Sequence, residues 1–289
     1  MSWRTVVIQS HAKLNYKNDF LLVRTDDVKM IHLSEIHTIL IDSTQVSLTS
    51  YLLCELMKRK IKVIFCDEKR NPQSELVPYY GSFHTSKNIA EQINWDNAFA
   101  KLVWTRIIGQ KIINQANLLE KLGFENHIKL REYVEQMEYF DETNREGHAA
   151  KVYFNTLFGK DFSREDYNHI NAALDYGYAI LLSTFNKEVV SNGYLTQIGI
   201  KHTNEYNYFN LSCDFMEPFR IIVDEFVYEN MGLELTPELK MKLVDLLNKK
   251  VLYCGKEYYL SNVIQMYVKK IFDALKDSNM ESLVLYEFQ

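Results

Sequence analysis

The spacing of apolar and polar positions divides the chain into two unlike parts. Up to about Phe83, short runs rich in Val, Ile and Leu (RTVVIQS, DFLLVRT, VKMIHL, HTILID) are separated by polar turn residues such as Asn15, Asn18, Asp26 and Asp27, which is the pattern of strands. Leu48, Tyr51, Leu52 and Leu56 then recur at helical spacing, ahead of Lys58, Arg59 and Lys60, whose charges suit a helix C-terminus. The nearly continuous apolar run IKVIFCD predicts a buried strand. Residues 67–87 hold Pro72, Pro78 and Gly81 and read as loops with a short strand.

From residue 88 onward helical periodicity dominates. Residues 88–122 form an almost unbroken helical pattern, with Trp95 and Trp104 expected in the core and Gly123 where a C-cap glycine belongs. Further helices are predicted over 127–140, from about Thr143, and after Asp166, where Ile170, Ala173, Leu174, Gly177, Leu181 and Phe185 trace one stripe. Residues 191–210 are the least regular of this part. Thr236-Pro237 announces another helix, and Ile264, Tyr267, Val268, Ile271 and Leu275 mark the last long one. The pattern therefore predicts an α+β fold, with a small N-terminal β-rich domain and linker over 1–87 and a larger all-α domain over 88–289.

Composition narrows the setting. A chain of 289 residues with 47% hydrophobic and 25% charged positions can bury a substantial core, and only 10 Gly and 4 Pro favour long helices. Cys54, Cys66, Cys213 and Cys254 show neither CxxC nor paired zinc spacing, and read as buried free thiols of a reducing compartment. The first residues lack the apolar core of a signal peptide, and no apolar run approaches the roughly 20 residues of a membrane span. The expected location is cytoplasmic, with no membrane partner. The net charge of -5 weighs against nucleic-acid binding unless the positive field is local.

Three groups need a chemical explanation: Glu146 in NREGHAAKVYF, His202 in GIKH and Glu217 in CDFMEPFRIIVD. Each lies beside small or apolar residues, where a polar group is costly unless something binds it. Thr143 to Glu146 and Asp214 to Glu217 both read as capping boxes, with Pro218 in the first turn of the second helix. Yet Asp214, Glu217 and Arg220 follow one another at spacings of three along an otherwise apolar segment, and Gly147, Ala149 and Ala150 strip the helix after Glu146 of bulk. Two carboxylates and an imidazole from separate segments make a divalent-cation site of mainly hard ligands, suited to magnesium or manganese. Arg220 could hold a phosphate oxygen or pair with Asp224 or Asp214, and Lys201 could meet a DNA backbone or remain solvated. Gly193 and Gly199 bound the loop that carries His202, as suits a site that opens and closes.

The set EGHAAKVYF, GIKH and DFMEPFRIIVD, in this order within a mainly helical chain, resembles the CRISPR-associated spacer-adaptation integrase family, the first-numbered and most widespread of the CRISPR-associated proteins, and most closely its type II branch. The resemblance covers the whole chain and makes the 88–289 part the catalytic domain. It implies that Glu146, His202 and Glu217 hold Mg2+ or Mn2+, with Asp214 and Arg220 at the flanking acidic and basic positions. Asp175 departs from the Asn expected of the family. The resemblance further implies a metal-dependent DNA endonuclease and integrase that joins the 3′-hydroxyl ends of a short DNA fragment to a CRISPR repeat. Implied partners are DNA, a second copy of the chain, the small second CRISPR-associated protein, and in type II systems a DNA-encircling accessory protein and the RNA-guided effector nuclease.

Two other readings of the residues stay open at this point. One is a metallohydrolase of small phosphate esters. The other is a nonenzymatic helical interaction module in which both carboxylates are caps.

Overall fold

A computed structural model describes residues 4–79 and 81–289; residues 1–3 of the N-terminal segment and residue 80 of the linker lie outside the described residues. Eight strands and one helix form the N-terminal part. Strands β1 (Arg4–Ile8), β5 (Ile36–Ile41), β7 (Lys62–Cys66) and β8 (Pro72–Leu76) build one sheet in the order β1-β5-β7-β8, parallel except for β8. Strands β2 (Ala12–Lys17), β3 (Phe20–Arg24), β4 (Val28–His32) and β6 (Val46–Leu48) build the other in the order β4-β3-β2-β6. β2 and β6 are additions to the sequence reading, which placed Asn15 in a turn. Asn15 instead pairs with Leu22 across the ladder, because Ala12, Leu14 and Tyr16 alternate on one face of β2.

β5 shows why the two parts form one body. All six of its residues are buried: Ile36, Ile39 and Ile41 pack with the second sheet and helix α1 (Ser50–Lys58), whereas Leu40 belongs to the core of the helical part. β7 repeats this, with Val63 on one side and Ile64 and Cys66 on the other. The first sheet is thus covered on both faces, which explains the near-continuous apolar run of IKVIFCD. The Lys240 ammonium further ties the parts together by donating to the carbonyls of Lys69 and Arg70 at 2.8 and 3.1 Å and to Asn71 Oδ1 at 3.0 Å.

The pattern over 88–122 breaks once. Helix α2 (Thr85–Ile93) ends before Asp96, whose carboxylate accepts from the N–H groups of Ala98 and Phe99 and starts α3 (Asn97–Lys121). Trp104 is core as expected, but Trp95 at the break is only half-buried. α4 (His127–Glu135), α5 (Arg145–Phe158), α6 (His169–Ser191) and α8 (Arg220–Glu229) pack with α3 and with α10 (Leu260–Asp277) around Trp104, Phe185, Phe219 and Tyr267. α6 and α8 approach closely at Gly177, where a Cβ would stand 2.5 Å from Val223 Cγ1.

The expectation of an all-α domain needs one amendment. Between α9 (Pro237–Asp245) and α10, strands β9 (Lys250–Tyr253) and β10 (Lys256–Tyr259) form a hairpin through Cys254 and Gly255, both at positive φ as a type I′ turn requires. Exposure also corrects the thiols: Cys66 is buried, but Cys54 and Cys254 are exposed. Among the described residues no helix is long and apolar enough to cross a membrane.

Candidate active site

The site forms where α3, α5 and the segment after α7 (Asn210–Met216) meet. α7 and α8 are not one helix. Pro218 lacks the N–H that would bond back to the Asp214 carbonyl, and Glu217–Phe219 form a 3-10 turn between them. Glu217, at the head of that turn, is almost wholly buried, with its side chain 4% exposed.

Neither carboxylate is a helix cap. α5 is started by Asp141, whose two oxygens accept from the N–H groups of Arg145 at 2.7 Å and Glu146 at 3.0 Å. Thr143 makes no cap, and its hydroxyl is buried without a hydrogen bond. Glu146 is thereby free to face α3, where its Oε1 accepts a 2.6 Å hydrogen bond from Lys111 Nζ. The same ammonium lies 2.7 Å from Glu217 Oε2, so that it bridges the two acids. Glu217 Oε1 pairs with Arg220 at 2.9 Å. Burial alone would raise the Glu217 pKa, but Arg220 and Lys111 override it and hold the carboxyl below the usual range. The space beside Gly147 is taken by the Asn144 side chain rather than by a ligand or a second helix.

Asp214 sits inside α7, fully buried, and does the work of a clamp. Its Oδ2 accepts from the N–H groups of Ile200 at 2.6 Å and Lys201 at 3.1 Å, and its Oδ1 from the His202 N–H at 3.3 Å. The His202 ring places Nδ1 2.7 Å from Asp214 Oδ1. This bond raises the imidazole pKa against the opposing effect of burial. With Nδ1–H donating to Asp214 Oδ1, the lone pair of neutral His202 is at Nε2. Gly199 permits this fold-back: a Cβ there would stand 2.4 Å from the His202 carbonyl oxygen and 2.9 Å from Asp214 Oδ2.

Buried polar side chains pin the loop over 192–209 in this structure. Gln92 bridges it through the Leu195 N–H and the carbonyls of Leu195 and Ile198, and Asn210 donates to the carbonyls of Gln197 and Asn204. Lys201 is not simply solvated. Its ammonium lies over the rings of Phe140 and Trp104, at 4.1 and 4.8 Å, and donates to the Phe140 carbonyl. Arg220 pairs with neither Asp224 nor Asp214; it pairs with Glu217 and packs over the Tyr178 ring at 4.8 Å. Asp175 lies outside the site and pairs with Arg164 at 2.5 Å.

Glu146 and Glu217 therefore converge on one cationic centre, while His202 turns to Asp214. Among the described residues no three acidic, histidine or cysteine side chains stand close enough to hold a metal ion as they are. The donors nonetheless fit a hard divalent ion. Two carboxylate oxygens from separate segments already bracket a positive charge, and the His202 imidazole is near enough to Glu217 for their charges to act on each other.

Sequence reasoning missed Lys111, Asp141 and a buried group behind Arg220. In that group Asp224 accepts from Tyr153 at 2.9 Å and from Tyr178. Lys111 was legible, because it falls three and four residues after Ile108 and Ile107 on the buried stripe of α3.

Fold and site together define an α+β protein whose helical part gathers two acids around a cation, with a clamped histidine nearby. The model of the family described as CRISPR associated protein Cas1 matches residues 5–234. The chain belongs to the Cas1 family. It is 32% identical to the CRISPR-associated endonuclease Cas1 of Neisseria meningitidis serogroup C, over 99% of this chain and 97% of that protein. Among solved structures the fold is similar to a casposase bound to integration product, with TM-score 0.76, 21% identity, and 97% of this chain and 92% of that one covered. It is also similar to part of a Cas6-RT-Cas1–Cas2 complex, with TM-score 0.73, 20% identity, and 99% of this chain but 36% of that longer one covered.

Proposed function

We propose that this protein is a metal-dependent DNA endonuclease and integrase of CRISPR spacer acquisition, which joins 3′-hydroxyl ends of a short DNA fragment to a CRISPR repeat by transesterification. The observation that carries the reading is the convergence of Glu146 and Glu217, from different helical segments, on a single positive charge. The endonuclease name of the Neisseria relative and the integration product in the casposase structure support it. The cap reading of an interaction module has lost its basis, because neither carboxylate caps a helix.

Glu146, Glu217 and His202 Nε2 are the groups that would hold Mg2+ or Mn2+. Such an ion favours the deprotonated form of a hydroxyl nucleophile and neutralises charge growing on phosphate oxygens. Asp214 keeps the His202 ring in the tautomer that leaves Nε2 free. Arg220 neutralises Glu217 and supplies a guanidinium suited to a non-bridging phosphate oxygen. Lys201, anchored on Trp104 and Phe140, carries a positive charge on the loop beside the site. In the joining step one phosphodiester bond forms to the incoming 3′-oxygen and one breaks, so that the target strand leaves with a free 3′-hydroxyl.

The partners follow from the same reading: duplex DNA, a second copy of this chain, and the small second CRISPR-associated protein, for which the Cas1–Cas2 complex is the support. Val28 and Met30, exposed on the edge strand β4, suit the contact between copies. A type II DNA-encircling protein and RNA-guided nuclease would act with the assembled complex. The testing experiment is strand joining: a short duplex with free 3′-hydroxyls, a supercoiled plasmid carrying a repeat, manganese or magnesium, the small partner, and wild type beside Glu217→Ala. Joined product from wild type alone supports reaction and site. Equal activity of the two proteins would refute the assignment of Glu217.

A further inference from the structure

The most unusual group in the candidate site is the one with no counterpart in its ligand set. Lys111 rises from the middle of α3, its side chain 13% exposed, and its ammonium lies 2.6 Å from Glu146 Oε1 and 2.7 Å from Glu217 Oε2. Apart from Arg220, which sits on the other oxygen of Glu217, no second cation in the described residues pairs with either acid. The ammonium therefore performs the electrostatic task of a bound metal, bringing two carboxylates of separate segments together.

It performs that task imperfectly. An ammonium has directional donors and one charge, and here that charge is shared between two carboxylates, Glu146 Oε1 at 2.6 Å and Glu217 Oε2 at 2.7 Å. A divalent ion has twice the charge and no donor direction to satisfy, so both oxygens gain by the exchange. The alkyl stem of lysine has four rotatable bonds and can carry its charged end away from the pair without moving α3.

The geometry points to Lys111 as an exchangeable counter-charge: it closes the metal-free site by bridging Glu146 and Glu217, and divalent-ion binding displaces it. This rests on the metal reading proposed above and adds the residue that sets the metal affinity. Lys111 is a positioning residue in this role, because it acts through the two carboxylates. It preorganises the acids before the metal arrives and competes with the metal for them.

Manganese alone is the probe. Free Mn2+ is followed by its electron paramagnetic resonance signal during titration of wild type, Lys111→Met, Lys111→Arg and Glu217→Ala. Lys111→Met, which keeps the stem and removes the charge, is expected to bind Mn2+ at least about tenfold more tightly than wild type, and Lys111→Arg no more tightly than wild type. Equal or weaker binding by a folded Lys111→Met overturns the proposal, whereas a merely structural lysine predicts that result. If Lys111→Met does not fold, wild type carries the test. Lysine-directed labelling read by mass spectrometry should modify Lys111 several-fold faster with Mn2+ than without, and show no such change in Glu217→Ala. Unchanged labelling in a wild type that binds Mn2+ overturns the displacement and leaves the metal reading standing. A wild type that binds no Mn2+ overturns both.

Discussion

His202 Nδ1 lies 2.7 Å from Asp214 Oδ1, and the same carboxylate gathers the backbone N–H groups of residues 200 to 202. The acid is fully buried and among the described residues pairs with no lysine or arginine, so its role is to shape the loop that presents the histidine. Asp214→Ala leaves three N–H groups of a pinned loop without an acceptor. It is expected to cost about 2–4 kcal/mol of stability in urea denaturation, and to weaken Mn2+ binding about 10–100-fold. Asp214→Asn, which keeps one acceptor oxygen, should lose less of both. Unchanged Mn2+ affinity in a folded Asp214→Ala would show that the clamp does not serve the metal site.

Gly199 supports the same clamp by having no side chain. In Gly199→Ala the new Cβ meets the His202 carbonyl oxygen at 2.4 Å and Asp214 Oδ2 at 2.9 Å, so backbone must move. The expected cost is about 1–3 kcal/mol, with Mn2+ affinity falling in the same direction as for Asp214→Ala. Thermal unfolding with and without Mn2+ reads both effects. A stabilised Gly199→Ala would contradict the packing described.

Asp224 gives the pH dependence. Burial drives its pKa from 3.8 up to about 6, against the opposing hydroxyls of Tyr178 and Tyr153 and the charge of Arg220. The folded value exceeds the unfolded one, so the stabilising contribution is complete below 3.8 and is lost as pH rises through about 6. A rise of this size corresponds to about 3 kcal/mol. Urea denaturation across pH 4 to 7 should therefore show wild type losing about 2 kcal/mol relative to Asp224→Asn. A difference that does not vary with pH would rule this out.

Asn114 joins the site to the end of the chain. Fully buried in α3, it donates to the carbonyls of Pro218 and Tyr286 and accepts from the Phe288 N–H, while Tyr286 stacks on Phe219 at 4.4 Å. Asn114→Ala is expected to cost about 3 kcal/mol and to make residues 283–289 accessible to limited proteolysis. Resistance of the tail equal to that of wild type would show that aromatic packing alone holds it.

What could be read without coordinates was whatever depends on neighbours in sequence. Strand runs such as HTILID, the stripe of α6, Thr236-Pro237 as the start of α9 and Gly123 as the stop of α3 all follow from local periodicity and capping. The family motifs likewise singled out Glu146, His202 and Glu217. The same local logic left a capping alternative open at both acids, because an acid beside a helix start satisfies a capping box and a site equally well. Which acid caps α5 was decided by Asp141, held at positive φ just upstream, and not by Thr143.

The sequence by itself determined the two-part α+β layout, the helical character of residues beyond 88, and the three motifs that mark the family. Tertiary structure alone decided that Lys111 stands between Glu146 and Glu217, 35 residues from one and 106 from the other, and that Asp214 folds the GIKH loop back onto itself. The physical reason is range. Periodicity and caps report interactions within a turn or two of the chain, whereas a buried charge must find its counter-charge wherever the packing of distant helices puts one.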